Sequence, residues 1–219
     1  MTPRRSRDEA GFTLIELLVT ASLFSVLAVG FYQVLFSNAR GSDTSRAVVK
    51  ISEEARLGLN RMIRDTREGT LWCETYDGAS TTACPTRTSY SVRIDFNSDG
   101  KFENPNPQGD YEKLTFAYDS TRGVIALNGE VLVAGVTPIS GKDIFTYTSN
   151  RLEYDANSDG MTTWQELDAT GLTGIGDKDG VLDGDLELRH LSNIDYAFNV
   201  ASGGRTTVFY SQAQLRNTR

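Results

Sequence analysis

The residues best suited to chemistry lie in one acidic segment, Asp155–Glu166, with the sequence DANSDGMTTWQE. Its spacing follows D-x-[DN]-x-[DN]-G-x₅-E, the pattern of a calcium-binding loop. In such a loop alternate side chains point inward, a glycine permits the sharp turn, and a final glutamate closes the site with two oxygens. The expected ligands are the side chains of Asp155, Asn157, Asp159, Thr163 and Glu166 and the backbone carbonyl of Met161. Hard oxygen ligands in a flexible ring favour Ca²⁺ over Mg²⁺, so the segment predicts a calcium site; the alternative is a solvated Asx turn.

The flanks of this loop differ from those of a helix–loop–helix calcium unit. Residues Ile144–Thr148 before the loop have the character of a strand, and no good helix enters it. Thr162 also stands where an apolar residue is usual. We therefore predict an isolated calcium loop between strands.

A related segment, Asp95–Glu103 (DFNSDGKFE), repeats the first half of the pattern. The corresponding ligands are the side chains of Asp95, Asn97, Asp99 and Glu103 and the carbonyl of Lys101. The twelfth place holds Asn106, so a bidentate carboxylate is missing unless Asp110 or Glu112 folds into the loop. We predict a second, weaker calcium site here.

A third acidic cluster contains Asp177, Asp179, Asp183, Asp185 and Glu187 at irregular spacing. Three interpretations stay open: a metal site of its own, completion of the Asp155 site, or an acidic turn. Calcium in these loops would be structural, because dense carboxylates repel one another without a cation and binding to the folded chain adds stability. Outside the cell, dissociation constants of about 10⁻⁴–10⁻³ M are sufficient for such sites.

Composition argues against two classes of function. The chain has one histidine, His190, and the nearby Ser192 and Asp195 lack the spacing of a catalytic triad. A net charge of −7 at pH 7 provides no global basic field for nucleic acid. We expect neither an enzyme nor general nucleic-acid binding.

The segment most informative about location is residues 12–36, in which every residue is apolar or uncharged except Glu16. These 25 residues make a helix of roughly 37 Å, enough to cross the hydrocarbon core of a membrane with some tilt. A carboxylate in lipid is costly, so Glu16 is expected to have a partner. Arg4, Arg5 and Arg7 precede the run and favour a cytoplasmic N-terminus. The run is longer than the core of a secretory signal peptide; a plain signal anchor is the simpler alternative.

The helix is expected to continue beyond this run as an amphipathic segment that ends at Gly69. An apolar stripe recurs at helical spacing through Val48, Ile51, Ala55, Leu59 and Met62. Pairs of opposite charge four residues apart are expected on the solvated side, namely Lys50–Glu54, Arg61–Asp65 and Arg64–Glu68. The amphipathic half is expected to lie against a sheet of its own domain.

The rest of the chain has the pattern of short strands. The candidates are Tyr90–Phe96, Tyr111–Tyr118, Gly123–Leu127, Glu130–Ala134, Ile144–Thr148, Leu186–Leu191, Ile194–Val200 and Thr206–Ser211. Asn128-Gly129 between two of them predicts a type I′ hairpin turn. One long N-terminal helix followed by antiparallel strands predicts an α+β architecture.

The unbroken segment GFTLIELLV, Gly11–Val19, resembles the N-terminus of type IV prepilins and type II secretion pseudopilins. The resemblance implies that prepilin peptidase cuts after Gly11, that the new N-terminal residue Phe12 is methylated, and that Glu16 acts in filament assembly. Many members carry a proline within this helix, whereas residues 12–36 contain none. Two further segments are loosely similar to J-type minor pseudopilins and W-type minor pilins: Ala55–Gly69 and Ser211–Asn217.

The resemblance divides the chain into four parts. These are a leader over 1–11, a transmembrane and filament-core helix over 12–36, its amphipathic continuation over 37–69, and a β-rich periplasmic or extracellular domain over 70–219. The implied partners are other pilin or pseudopilin subunits, prepilin peptidase, and membrane lipid before assembly. The implied location is the cytoplasmic membrane, crossed once with the C-terminal domain outside the cytoplasm, and then a periplasmic or cell-surface filament.

The chain has two cysteines, Cys73 and Cys84. Beyond the membrane the compartment is oxidising, so a disulfide between them is expected. Free thiols are the alternative, because two lone cysteines are a poor metal site.

Two functions follow from this sequence. The first is a minor subunit of a type IV pilus or a type II secretion pseudopilus with calcium-stabilised loops. The alternative is a calcium-dependent adhesion or binding module that is displayed on such a filament.

Overall fold

The computed structural model describes residues 13–73, 84–103, 105, 107, 109–169, 175–176, 178, 180–182, 185–202 and 204–215, without the side chains of 38–48 and 185. Within this part the helices are α1 (Leu14–Glu68), α2 (Trp164–Ala169) and α3 (Asp185–His190). The strands are β1 (Thr70–Trp72), β2 (Ser89–Arg93), β3 (Lys113–Asp119), β4 (Val124–Leu127), β5 (Glu130–Ala134), β6 (Val136–Pro138), β7 (Phe145–Ser149), β8 (Thr162–Thr163), β9 (Asn193–Ser202) and β10 (Arg205–Gln214). The chain divides into two compact units between Arg46 and Ala47. One helix followed by antiparallel sheets confirms the expected α+β, pilin-like architecture.

Two antiparallel sheets build the second unit. The first sheet is a meander in the order β1-β2-β3-β4-β5. The second has the order β10-β9-β7-β8, and β6 also pairs with β9. β4 and β5 meet at the predicted hairpin, where Asn128 and Gly129 have φ values of 50° and 87°. Positive φ at both central positions is the requirement of a type I′ turn, which matches the twist of its strands.

The C-terminal part of α1 ends where the sequence predicts. Its last residue is Glu68, and the Gly69 N–H donates to the Asp65 carbonyl at 2.9 Å. The described members of the apolar stripe are buried or half-buried: Ile51, Ala55, Leu59 and Met62. The predicted pairs Lys50–Glu54 and Arg61–Asp65 form at 3.8 and 3.4 Å. Asp65 is only 3% exposed, however, so its carboxylate is not on the solvated side as predicted.

Gly58 permits close packing of α1 on β5. A Cβ atom at this position would lie 2.5 Å from Val133 Cγ2 and 3.0 Å from the Leu132 carbonyl oxygen. Glycine disfavours helix by about 1 kcal/mol relative to alanine, and here the small residue allows the two backbones to approach.

Three buried hydroxyl groups join α1 to both sheets. Thr66 Oγ1 lies 3.0 Å from the Tyr90 hydroxyl of β2 and 2.9 Å from the Tyr196 hydroxyl of β9. The two tyrosine hydroxyls are 3.0 Å apart. Each group has one proton and free lone pairs, so a closed ring lets each donate once and accept once. We call these three residues the hydroxyl triangle.

Three sequence predictions about strands are wrong in part. Residues 186–191 were expected as a strand, but Asp185–His190 is the helix α3. The burial pattern has helical spacing, because Glu187 and Leu191, four residues apart, are both buried, while Leu186 is 47% exposed. The candidate strand Tyr90–Phe96 was expected to reach Phe96, but β2 ends at Arg93 and Phe96 is exposed. The short strands β1, β6 and β8 were not predicted at all.

Replacing Thr66 by valine is expected to destabilise the globular domain by about 1–3 kcal/mol, because two buried tyrosine hydroxyls lose a shared partner. Urea unfolding of the full chain in detergent micelles measures the change. Thr66→Ser keeps the hydroxyl and should lose only about 0.8 kcal/mol for the missing methyl group. Equal stability of Thr66→Val and the unmodified chain would contradict the role of the triangle.

Alkaline pH is expected to unfold the domain through the same groups. Burial raises the pKa of Tyr196 to about 12 and, with the nearby Tyr196, raises the pKa of Tyr90 well above its usual value. Because the folded pKa is higher than the unfolded value, this stability is fully present below about pH 10 and is lost as pH rises through the folded pKa. Tyrosinate absorbance and circular dichroism should show exposed tyrosines ionising first and the buried ones only with unfolding. Ionisation of every tyrosine near pH 10 with the fold intact would count against it.

Candidate functional sites

The N-terminal helix offers an uncovered apolar segment. Residues Leu14–Ser37 form 24 helical residues with a mean hydropathy of 2.2, long and apolar enough to cross a membrane by length and composition. The side chains of this segment are exposed, including Phe24 at 74% and Leu27 at 71%. An exposed apolar surface of this kind marks a site of contact with lipid or with another protein.

Glu16 has a partner within its own helix. Its Oε2 accepts hydrogen bonds from the Thr13 N–H at 3.3 Å and the Thr13 hydroxyl at 3.2 Å. The Glu16 N–H in turn lies 3.3 Å from Thr13 Oγ1. This reciprocal arrangement is a capping box, which supplies partners for the free donors at the start of a helix. Sequence reasoning looked for a partner elsewhere and missed Thr13, although the spacing T-x-x-E was visible.

Three further hydroxyl side chains of the apolar segment bond to their own helix. Thr20 donates to the Glu16 carbonyl at 2.9 Å, Ser22 to the Val19 carbonyl at 2.8 Å, and Ser25 to the Ala21 carbonyl at 2.8 Å. These groups therefore need no water. Gly11 and Phe12, the predicted processing residues, lie outside the described residues.

The side chains of Asp155, Asn157 and Asp159 hold the Asp155 loop by accepting hydrogen bonds from its backbone. Asp155 Oδ2 accepts from the Gly160 N–H at 2.8 Å, and Asn157 Oδ1 accepts from the Asp159 N–H at 2.8 Å. Asp159 Oδ1 accepts from the Met161 N–H at 2.9 Å. Ser158 and Gly160 have φ values of 60° and 87°, and this alternation curls the backbone around the carboxylates. The arrangement gathers oxygen atoms of the kind that hold Ca²⁺.

Glu166 joins the two ends of this loop. Its Oε1 accepts from the backbone N–H groups of Ala156 and Asn157 at 3.1 and 3.3 Å. Its Oε2 accepts from the Thr163 N–H and hydroxyl at 2.8 and 2.9 Å. Thr163 precedes α2 directly, so Thr163 and Glu166 have the spacing and the contacts of a capping box.

The loop lies between the paired strands β7 and β8, as the sequence predicts. The 3₁₀ turn at Leu152–Tyr154 before it and the helix α2 directly after β8 were not predicted. The T-x-x-E spacing of Thr163 and Glu166 could have revealed this helix start. Thr162, which occupies the place of an apolar residue, is fully buried and donates to the Arg151 carbonyl at 2.7 Å.

The Asp95 loop has the same hydrogen bonds. Asp95 Oδ2 accepts from the Gly100 N–H at 2.9 Å, Asn97 Oδ1 from the Asp99 N–H at 3.0 Å, and Asp99 Oδ1 from the Lys101 N–H at 2.8 Å. A carboxylate from outside the repeated pattern lies against it: Glu112 is fully buried, and its Oε2 accepts from the Glu103 N–H at 3.0 Å. Asp110, the other candidate to complete this loop, is exposed.

The third cluster is described only in part. Asp177, Asp179 and Asp183 lie outside the described residues, and Asp185 begins α3. His190 ends α3, where its Nδ1 lies 2.6 Å from the Leu186 carbonyl oxygen. Among the residues that the structure describes, no group of three or more His, Cys, Asp or Glu side chains is arranged to hold a metal ion. The two described loops instead combine carboxylates with amide, hydroxyl and carbonyl oxygens.

Cys73 and Cys84 form the predicted disulfide. Both residues are buried, and Cys73 directly follows β1. The bond therefore ties the strand that follows α1 to the segment that leads into β2.

Comparison with known families gives one match. Residues 6–32 match the family described as the prokaryotic N-terminal methylation motif. No curated protein and no solved structure matches the chain significantly.

Proposed function

We propose that this type IV prepilin-like protein is a minor subunit of a type IV pilus or type II secretion pseudopilus, assembled through the N-terminal half of α1. The methylation motif over residues 6–32 supports the prepilin-like and pseudopilin family. Such proteins are structural subunits that prepilin peptidase processes and that assemble with other pilin subunits. The single observation that carries the proposal is the coincidence of this motif with a 24-residue apolar helix whose side chains are exposed.

The apolar helix suits two successive environments. By length it fits a single-pass anchor in the cytoplasmic membrane, where its exposed side chains contact lipid. After cleavage following Gly11, the same surface would pack against helices of neighbouring subunits in a filament core. The hydroxyl groups of Thr20, Ser22 and Ser25 bond to carbonyls of their own helix, so neither environment leaves these three without a partner.

Glu16 is the residue we assign to assembly. Its carboxylate is held at the helix start by Thr13 and stays exposed to a second partner. Cleavage would create a positively charged amine at Phe12, and opposite charges attract strongly in a medium of low dielectric constant. The amine of a neighbouring subunit would therefore pair with the Glu16 carboxylate. This pair would fix the position of one helix along the next.

The globular domain would be displayed outside the cytoplasm and stabilised there by calcium. The Asp155 and Asp95 loops place several oxygen atoms around one short turn each, and Glu166 and Glu112 bring a further carboxylate to each loop. Adjacent carboxylates repel one another, and a bound cation would remove that repulsion. Calcium binding to the folded chain alone would then raise its stability.

The assembly role is tested by Glu16→Ala. The variant should insert and be cleaved normally but be depleted from sheared filaments at least about tenfold, as expected if roughly 1.4 kcal/mol or more of subunit contact is lost. Ser22→Ala, in the same exposed segment, is the matched control and should assemble. Gly11→Leu should instead accumulate as the unprocessed chain, as seen by intact mass. Normal filament content of Glu16→Ala would overturn the assignment.

A deletion strain separates the two functions. Loss of filaments or of secretion supports the structural subunit. Intact filaments with lost adhesion would support the binding module instead.

Calcium stabilisation is tested by thermal melting of the full chain in detergent with calcium and with chelator. At a calcium concentration about 100 times the dissociation constant, one site should add about 2.7 kcal/mol of stability and raise the melting temperature. Magnesium should have a smaller effect. Asp155→Asn should lose much of the calcium increment, whereas Asp119→Asn, outside the loops, should keep it. Identical melting in calcium and chelator would rule out calcium in these loops.

A further inference from the structure

The outer face of the second sheet carries polar side chains in register. Ile194 and every second residue after it in β9 are buried, so the residues between them lie on the face away from the core. On that face Gln212 of β10, Asp195 of β9 and Thr146 of β7 are cross-strand neighbours. The next row across the sheet consists of Gln214, Asn193, Thr148 and Thr163. We call the residues of these two lines the polar rows.

A concavity of about 660 Å³ lies over this face. Most of the polar rows line it, together with Ala197, whose small side chain is the cross-strand neighbour of Tyr210. Lys142, in the loop before β7, and Met161, in the Asp155 loop, also line it. Pockets that hold small ligands have volumes of about 300–1,000 Å³, so this concavity has the size of a binding site.

The concavity continues into a second one of about 700 Å³, because Thr148, Met161 and Gln212 line both. The charged residues that line the second concavity, Arg67 and Asp159, have opposite signs. Its amide side chains are those of Asn150, Asn193, Gln212 and Gln214. The two concavities form one polar groove, which is larger than a single small ligand requires and favours an oligomeric one.

The charges in the first concavity nearly balance. Lys142 and Asp195 have opposite signs, and the other carboxylate, Asp143, pairs with Arg87 at 3.6 Å. A cationic ligand would be repelled by Lys142, and an anionic ligand would be repelled by Asp195. The groove therefore favours a ligand without net charge.

Asp195 can accept more hydrogen bonds than the described residues give it. Its Oδ1 accepts from the Gln212 amide at 2.9 Å, and its Oδ2 accepts from the Thr148 hydroxyl at 3.5 Å. An ionised carboxylate has about four acceptor positions. None of the ion pairs in the described part of the chain includes Asp195. Burial raises the pKa of its carboxyl above the usual value, and the two hydrogen bonds lower this pKa only in part, so further donors would stabilise the carboxylate.

Tyr210 adds an aromatic surface beside the polar rows. It lies two residues before Gln212 on the same face of β10 and is 56% exposed. Lys142 Nζ lies 4.9 Å from the centroid of its ring. The face of an aromatic ring carries partial negative charge, which attracts the C–H groups of a sugar ring.

We propose that this groove binds an uncharged oligosaccharide, with Asp195 and Gln212 bonded to its hydroxyl groups and Tyr210 in contact with a sugar ring. A sugar presents hydroxyl groups around a ring of C–H groups, so it needs acceptors, donors and an aromatic surface at one place. An extended peptide would instead need a free strand edge and apolar pockets for its side chains. The inference gives the binding-module alternative a ligand class and does not rest on filament assembly, which we assign to the N-terminal half of α1.

The test is a screen of the labelled full chain, in micelles of a detergent without a sugar headgroup, against immobilised oligosaccharides. The uncharged probes are short oligomers of glucose, mannose, galactose and N-acetylglucosamine. Sulfated dextran fragments and chitosan fragments are the anionic and cationic comparisons. At least one uncharged probe should bind with a dissociation constant of about 1 mM or lower by calorimetry. Binding of no uncharged probe, or stronger binding of a charged one, would overturn the proposal.

Two variants place the ligand in the groove. Tyr210→Ala and Asp195→Asn should each weaken binding of the same probe at least about tenfold. Tyr111→Ala removes a tyrosine of similar exposure, 52%, that lines neither concavity, and should bind as the unmodified chain does. Because burial disfavours the charge of Asp195, Asp195→Asn should melt at the same or a higher temperature. Unchanged affinity in both variants would reject the groove as the site.

Other occupants of the groove give different results. A second copy of the chain would show as self-association that Tyr210→Ala abolishes, and an extended peptide would show as retention of unfolded casein. Either result without sugar binding would reject the proposal. Glu16→Ala should still bind the sugar, so failure of the assembly assignment leaves this inference standing. Normal filament content without sugar binding would reject only the inference.

Discussion

The hydroxyl triangle is the constraint on which the arrangement of the globular domain depends. Thr66, Tyr90 and Tyr196 come from α1, the first sheet and the second sheet, and their oxygens must meet within 3.0 Å. A shift of any one of these elements would leave buried hydroxyls without partners, which costs more than a displaced apolar contact. The surrounding rings give the triangle its dry environment, since Phe145 packs edge-on against both tyrosines at 5.0 and 6.0 Å between ring centroids. Apolar packing supplies most of the stability of such a core, but these polar contacts select one register of helix against sheets.

Several polar groups of the apolar helix and of the acidic loops find their partners close by in sequence. In the apolar part of α1, Glu16 bonds to Thr13, and the hydroxyls of Thr20 and Ser25 bond to carbonyls one turn earlier. In the loops, the carboxylates of Asp95 and Asp155 bond to the N–H of a glycine five residues later. Glu16 and Glu166 use the same capping geometry in two different settings, one in an exposed apolar helix and one at a candidate cation loop. A single local device therefore holds a glutamate carboxylate in place in both settings.

Sequence reasoning identified the features that depend on local pattern. It predicted α1 through its stripe and Gly69, and β5 and the Asn128-Gly129 turn through residue types with few alternatives. It failed where tertiary contacts decide. β1 and β6 have three residues each, too few to show alternation, and exist because they pair with β2 and β9. α3 has strand-like residue types but buries Glu187, and Leu191, four residues later and just past its end, is buried as well.

The oxidation state of Cys73 and Cys84 depends on the compartment in which the chain folds. A copy of the chain held in a reducing compartment keeps both thiols, and only passage into an oxidising one closes the link next to β1. Both sulfur atoms become buried on folding, so the link, once closed, is shielded from small reductants. The redox state of this pair would thus report the compartment in which a molecule folded.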